Sequence, residues 1–234
     1  MLKLFIFIFL FSNALVGAEE RPVKRLELWR AQGLVRVFIP SADRDLVSAF
    51  EEVREEVKGF IPIPVIRVYS RWDSDILLGF YTQSAYFHTL NEEAGFYEMH
   101  AVAHFISSFI GFTLLYDRNY KTQLTPDYND SEYVYTESLI SNPHVIKEYA
   151  EHIEFFGLSS GRAQKDKIAL TIKKYAKHEL YHALGLYHNS YRLNPFISNT
   201  CHIMDNTADK QCLYPSGLEL IELITAWKGK KNEP

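Results

Sequence analysis

The sequence has little cysteine and no excess of basic charge. Among its 234 residues there are two cysteines, and two thiolates alone cannot form a structural zinc site, which takes four ligands. The formal net charge is -4 and the pI is about 6.1. The chain therefore lacks the basic footprint of a protein that binds nucleic acid or an anionic membrane, and no nucleic-acid partner is expected.

The chain also lacks repeats and any linker rich in proline, glycine or serine. Its long apolar run comes at the N-terminus, where residues 4–10 follow Lys3 and small residues such as Val16 and Ala18 come next. This pattern is typical of a secretory signal peptide, and it is short against the roughly 20 apolar residues of a membrane-spanning helix. We expect residues 1–18 to be a cleaved signal peptide and residues 19–234 to be one domain. The protein is then exported, secreted or periplasmic, with no stable membrane anchor.

Export changes how the two cysteines are interpreted. Outside the cytoplasm, two cysteines that close a short loop form a disulfide more often than they stay as free thiols. We therefore expect a disulfide between Cys201 and Cys212.

Apolar periodicity predicts both strands and helices along the chain. The predicted strands are residues 34–40, 63–70, 76–83, 109–116 and 133–140. Helical spacing is found in residues 41–60, 91–107, from about 165 onward, and in 217–227. Elements in this order favour an α/β (α+β) fold, with a twisted mixed β-sheet and helices packed on it.

The stretch "HELYHALGLYHNS", which begins at His178, places three histidines and a glutamate within eleven positions. His178 and His182 project from one face of a helix, where their imidazole nitrogens can meet one Zn²⁺. Glu179, beside the first ligand, is placed to act as general base toward a metal-activated water. Gly185 can adopt the left-handed conformation that ends the helix and lets His188 return as third ligand. Three protein ligands leave one coordination position open, which indicates one catalytic zinc ion rather than a structural one.

These five residues match H-E-x-x-H-x-x-G-x-x-H, and here the chain resembles the metzincin clan of zinc peptidases. The segment "CHIMD" offers Met204 as the methionine that lies in a turn beneath the zinc ligands in that clan. The resemblance implies a zinc cleft between an upper sheet subdomain and a smaller helical lower part. It also implies an antiparallel edge strand that binds the peptide, for which residues 133–140 are the candidate.

The compact chain is also similar to the archaemetzincins, in part. Asn189 follows the third histidine, where their pattern has a cysteine, and the chain has no C-x-x-C for their second zinc. The resemblance therefore implies a single zinc ion.

Two functions from different classes are compatible with this site. One is an exported peptidase that hydrolyses a peptide or protein substrate, and the other is a metzincin-like domain that acts as a binding or assembly factor. The intact Glu179 favours the peptidase, because a purely structural site has no use for a base. A zinc amidase acting on non-peptide substrates would share the same residues. Four side chains near in sequence could stabilise the oxyanion, and the sequence does not choose among them: Tyr187, Tyr191, His202 and Tyr214.

Overall fold

A computed structural model of the chain describes residues 24–40, 42–80, 111–117, 133–141, 143–155, 164–186, 201–204 and 210–228. The expected signal peptide and the helix predicted over residues 91–107 lie outside these ranges. Within them, no helix combines the length and the apolar character needed to cross a membrane.

The described residues form five helices and seven strands, separated by turns and one short 3₁₀ segment. In chain order the elements are α1 (Lys24–Gln32), β1 (Val35–Phe38), α2 (Arg44–Val57), β2 (Val65–Val68), the 3₁₀ turn (Arg71–Asp73), β3 (Ile76–Phe80), β4 (Gly111–Asp117), β5 (Tyr133–Ile140), α3 (Pro143–Ala150), β6 (Glu154–Phe155), α4 (Gln164–Ala183), β7 (Lys210–Gln211) and α5 (Gly217–Lys228).

Five of these strands form a mixed sheet in the order β2-β1-β3-β5-β4. The first four run parallel to one another, whereas β4 pairs antiparallel with β5. Strands β6 and β7 form a separate two-stranded parallel sheet. The expected α/β architecture, a mixed sheet with helices packed on it, is therefore present.

The expectation that residues 133–140 form the antiparallel edge strand is wrong. Strand β5 is internal, because it pairs with β3 on one side and with β4 on the other. Every residue from Thr136 to Ile140 is buried, as in a strand covered on both faces. Alternation of side chains is common to edge and internal strands, so it could not identify the edge. Among the described strands, β4 occupies the antiparallel edge.

Helix α2 has the apolar stripe that its sequence predicted. Asp43 caps its N-terminus by accepting hydrogen bonds from the backbone N–H groups of Asp45 (2.9 Å) and Leu46 (3.1 Å), which satisfies two donors that the helix itself leaves free. One face of the helix then enters the core through Leu46, Ala49, Phe50, Val53 and Val57.

Helix α4 packs on β3, β4 and β5, and also against α2 and α3. Its second half is buried almost completely, polar side chains included. The ammonium group of Lys177 is paired with Glu52 and Glu56 of α2, as buried charges must be. This helix carries the H-E-x-x-H residues, so the candidate site lies at the centre of the packed elements.

Candidate metal and catalytic site

The two histidines on α4 converge on one point. The Nε2 atoms of His178 and His182 lie 3.1 Å apart, and the ring centroids are 4.7 Å apart with the planes at 83°. The four-residue spacing on a helix predicts a shared face, and here the rings also turn the same pair of nitrogens toward each other.

Backbone carbonyls determine which nitrogen of each ring carries the proton. His178 Nδ1 lies 2.8 Å from the carbonyl oxygen of Ile203, and His182 Nδ1 lies 2.9 Å from that of Leu186. A carbonyl can only accept, so each Nδ1 donates and each neutral ring has its lone pair on Nε2. The Nζ atom of Lys174, 3.5 Å from His178 Nδ1, is too distant for a strong hydrogen bond and faces a nitrogen that already bears a proton.

Two neutral rings whose Nε2 lone pairs face each other at this distance repel, and either a shared proton or a metal ion relieves that repulsion. Two nitrogens bound to a tetrahedral zinc at about 2.0–2.1 Å are roughly 3.3 Å apart, which is close to the observed 3.1 Å. Nδ1–H groups bonded to carbonyls are also the usual orienting contacts of metal-binding histidines. The pair therefore fits two positions of a zinc site.

The third expected ligand, His188, lies outside the described residues. Within the ranges that the structure describes, no group of three histidine, cysteine or acidic side chains is arranged to hold a metal ion. In sequence, His188 follows Leu186, the last described residue of the turn after α4, by two positions.

Glu179 is almost fully buried beside the histidine pair. Its Oε1 lies 4.0 Å from His178 Nε2, and its Oε2 accepts a hydrogen bond from the Thr113 hydroxyl at 2.8 Å. Burial raises the pKa of Glu179 to about 8, although the Thr113 hydrogen bond and the charge of Lys174 act in the opposite direction. The carboxyl group is thus held next to the histidine pair, and its pKa of about 8 is close to neutral pH.

Strand β4 supplies contacts to Glu179 that sequence analysis missed. A side chain at Gly111 would place its Cβ 2.6 Å from Glu179 Oε1, and Thr113 bonds the other carboxylate oxygen. From β5, the Ser138 hydroxyl donates to the carbonyl of Glu179 at 2.9 Å. The one available signal was a glycine inside a strand pattern, which often marks close approach of another group.

The turn after α4 is closed by Gly185, which has a φ of 109°. The N–H of Gly185 donates to His182 O (3.1 Å), and the N–H of Leu186 donates to Tyr181 O (2.9 Å), which is the Schellman arrangement of a helix end. Leu186 O also accepts from His182 Nδ1. The turn that ends the helix therefore orients the second histidine ring as well.

Helices α1 and α5 hold this turn in place. The Arg25 guanidinium donates to the carbonyls of His182 (2.7 Å) and Ala183 (2.8 Å), and the Trp227 indole donates to that of Leu184 (2.9 Å). The last carbonyls of a helix lack partners in its regular hydrogen-bond pattern, and here tertiary donors bind them. His182 O accepts from Arg25 in addition to the N–H of Gly185. A cation at a helix C-terminus is also electrostatically favourable.

The segment from Cys201 to Met204 lies against the first histidine through Ile203 O, and Met204 itself is buried. The expected disulfide joins Cys201 to Cys212, with 5.8 Å between their Cα atoms. Glu219 of α5 accepts backbone hydrogen bonds from Ile203 (3.2 Å) and Met204 (2.8 Å). Sequence analysis did not single out Glu219, although Ser216 three residues earlier gives the S-x-x-E pattern of a capping box.

Two of the four oxyanion candidates fall on described residues. His202 Nδ1 lies 2.9 Å from the Ser216 hydroxyl, and the ring of the exposed Tyr214 is 4.5 Å from Lys177 Nζ. Tyr187 and Tyr191 lie outside the described residues.

In comparisons with known proteins, no family model and no curated sequence matches this chain.

Proposed function

We propose that this protein is an exported, zinc-dependent metallopeptidase of metzincin type. The observation that carries the proposal is the histidine pair on α4. Its two Nε2 atoms meet at 3.1 Å with both Nδ1 atoms engaged by carbonyls, next to the buried carboxyl of Glu179. This arrangement suits a cation held beside a base.

His178, His182 and His188 would hold the zinc ion. When bound, zinc supplies Lewis acidity, which polarises a carbonyl oxygen and makes a water molecule more acidic. The histidine rings contribute neutral nitrogen ligands whose orientation is fixed by Ile203 O and Leu186 O. Such fixed orientation lowers the entropy that ligand side chains lose on binding a metal.

Glu179 would move the proton in the reaction. With Oε2 held by Thr113, Oε1 accepts a proton from the attacking water and then delivers it to the departing amine nitrogen. A carboxyl group whose pKa is raised by burial to about 8 is a stronger base than an exposed one, and a neighbouring cation would bring that pKa down toward the working range.

A peptide is the favoured substrate because the antiparallel strand β4 lies beside this carboxyl group. Gly111 at the start of β4 is in close contact with Glu179, so an extended chain that paired along this sheet edge would bring its carbonyl groups near the base. The bend at Gly185 and the buried Met204 turn are further features that this chain has in common with the metzincin pattern. The disulfide is compatible with export.

The test compares the full-length chain with Glu179→Gln and His178→Ala. Zinc content is measured by elemental analysis, and cleavage of a diverse peptide mixture is followed by mass spectrometry at matched zinc content. We expect the unaltered chain to bind one zinc and cut peptides, Glu179→Gln to bind zinc but lose at least about 10²-fold in turnover, and His178→Ala to lose zinc.

Two results would contradict the proposal. Zinc content unaffected by His178→Ala would show that the ion is bound elsewhere. Zinc bound through His178 with no cleavage of any peptide would favour the binding or assembly role instead. In that case capture of a partner protein by the zinc-loaded chain becomes the next measurement.

A further inference from the structure

We infer that Glu219 is a positioning residue for the metal site, acting through the Met204 turn on the ring of His178. The inference rests on the proposed function, since it concerns how the first zinc ligand is oriented. Glu219 accepts hydrogen bonds from Ile203, Met204 and Ser216, and its role at the metal site follows from the bond that continues from Ile203 O to His178.

The carboxylate of Glu219 is fully buried and holds two segments together. It accepts from the N–H of Met204 at 2.8 Å and of Ile203 at 3.2 Å, and from the N–H of Ser216 at 2.6 Å. A buried carboxylate is costly unless its oxygens are satisfied, and these three backbone donors satisfy it. They also fix the 203–204 turn against the first residues of α5.

The next link is the carbonyl of Ile203. Ile203 O and Met204 N belong to one planar peptide unit. The bond from Met204 N to Glu219 therefore also directs Ile203 O. That oxygen accepts from His178 Nδ1 at 2.8 Å, which sets both the proton position and the rotation of the ring. Nε2 of His178 therefore points to the shared site because Glu219 holds the turn.

A competing explanation is that Glu219 only caps its own helix. Ser216 and Glu219 do form a reciprocal capping box, in which Glu219 N–H donates to Ser216 Oγ at 3.3 Å. Capping alone needs only the bonds between these two residues. The additional bonds come from Ile203 and Met204, which lie 16 and 15 residues away in sequence. They contribute nothing to the cap, so the two roles can be separated by substitution.

The principal variant is Glu219→Gln in the full-length chain. The side chain keeps its shape, but one oxygen becomes an NH₂ group that faces backbone N–H donors and repels them. Loss of an outer contact such as that from Ile203 O to His178 usually costs about 10- to 100-fold in metal affinity. Because Glu219 acts on that contact indirectly, we expect zinc affinity, measured by competition with a chromophoric chelator, to fall by about 10-fold. In zinc-free protein we also expect the His178 Nδ1–H resonance to be lost from nitrogen-15 NMR spectra.

Three further variants separate the possible roles. Glu222→Gln makes the same charge change on the same helix at a partly exposed position, and we expect it to leave zinc affinity unchanged. Ser216→Ala removes the capping hydroxyl but keeps the carboxylate bonds to the turn, and we expect it to lower thermal stability more than zinc affinity. Glu219→Asp keeps the charge with a shorter reach, so we expect its zinc affinity to lie between those of Glu219→Gln and the unaltered chain.

The inference is overturned if Glu219→Gln binds zinc as tightly as Glu222→Gln and keeps the His178 Nδ1–H signal, because Glu219 would then serve the fold alone. If Glu219→Gln does not fold, the comparison of Glu219→Asp with Ser216→Ala decides, and equal zinc affinities in those two variants contradict the role. A failure of the proposed function is distinguishable, since it appears as zinc binding that is indifferent to His178→Ala with Glu219 intact.

Discussion

At the scale of single residues, the site depends on a glycine, Gly111, as well as on the side chains that form it. Gly111 leaves the space that the Glu179 carboxylate occupies, since a Cβ there would lie 2.6 Å from Oε1. The three nearest atoms all belong to the Glu179 side chain, with Cγ at 3.0 Å and Cδ at 3.1 Å besides Oε1, so this side chain is what must move. Alanine at this position should therefore disturb the Glu179 carboxylate more than the fold.

We predict that Gly111→Ala lowers turnover at least about 10-fold while zinc affinity changes little and stability falls by about 1–2 kcal/mol. Kinetics, chelator competition and thermal denaturation measure the three quantities. Gly217→Ala is the matched control, because no atom in the described part of the chain lies within 4 Å of a Cβ at that position, and it should leave turnover unchanged. Equal turnover in both variants would show that the carboxylate tolerates displacement.

At the scale of elements, α2 and α4 are joined by charges as well as by apolar packing. Lys173 and Lys177 of α4 reach Glu52 of α2, with Nζ to oxygen distances of 2.6 and 3.2 Å. Burial alone would raise the pKa of Glu52, but the hydrogen bonds and charges of the two lysines outweigh burial and lower it. This ion cluster stabilises the contact that holds the motif-bearing helix.

A lowered pKa makes the contribution of Glu52 depend on pH. The stabilisation is complete above the unfolded-state value of 4.5 and is lost as pH falls through the lower folded-state pKa. We predict that Glu52→Gln lowers the free energy of unfolding by roughly 1.5 kcal/mol at pH 7, a value discounted for partial exposure, and that the difference in Tm from the unaltered chain shrinks by pH 3.

The control for that prediction is Glu55→Gln, which lies on the same helix but in an exposed ion pair with Lys58. Exposed pairs contribute little to stability, so its Tm should stay close to that of the unaltered chain at both pH values. A loss of Tm in Glu52→Gln that was equally large at pH 3 would point to packing rather than charge.

At the scale of the whole molecule, the segments around the site are far apart along the chain and are held by few links. Helices α1 and α5 clamp the end of α4 through Arg25 and Trp227. The Cys201–Cys212 disulfide closes a loop over a sequence separation of 11 that begins just before the Met204 turn. The link restricts the unfolded chain and also limits how far the turn can move from His178.

We predict that replacing both cysteines with serine lowers the free energy of unfolding by about 3 kcal/mol and weakens zinc binding. Thermal denaturation and chelator competition, each with and without reductant, measure these effects. Reductant should not change the stability or the zinc affinity of the serine variant. In the unaltered chain, reductant should bring both quantities close to those of the serine variant. If reduction of the unaltered chain changes neither quantity, the turn is held by Glu219 and packing alone.

Part of the architecture and part of the site could be predicted from local patterns. A spacing of four residues puts His178 and His182 on one helix face, because the helical period is fixed by backbone geometry. The stripe on α2 and the bend at Gly185 follow in the same way from periodicity and from the freedom of glycine. The mixed α/β sheet also followed from the order of strand and helix patterns.

The remaining features were decided by tertiary structure alone. Glu179 meets Gly111 and Thr113, about 66 residues earlier in the chain, only because β4 docks at the sheet edge beside α4. Alternation is the same in edge and internal strands, so sequence placed β5 at that edge wrongly.

The orientation of the histidine rings was likewise invisible in the sequence, because their Nδ1 partners are backbone carbonyls, which every residue carries. Sequence by itself determined that His178 and His182 share one helix face. Packing between distant segments decided how those side chains are held, because hydrogen bonds to backbone atoms leave no residue-type signature.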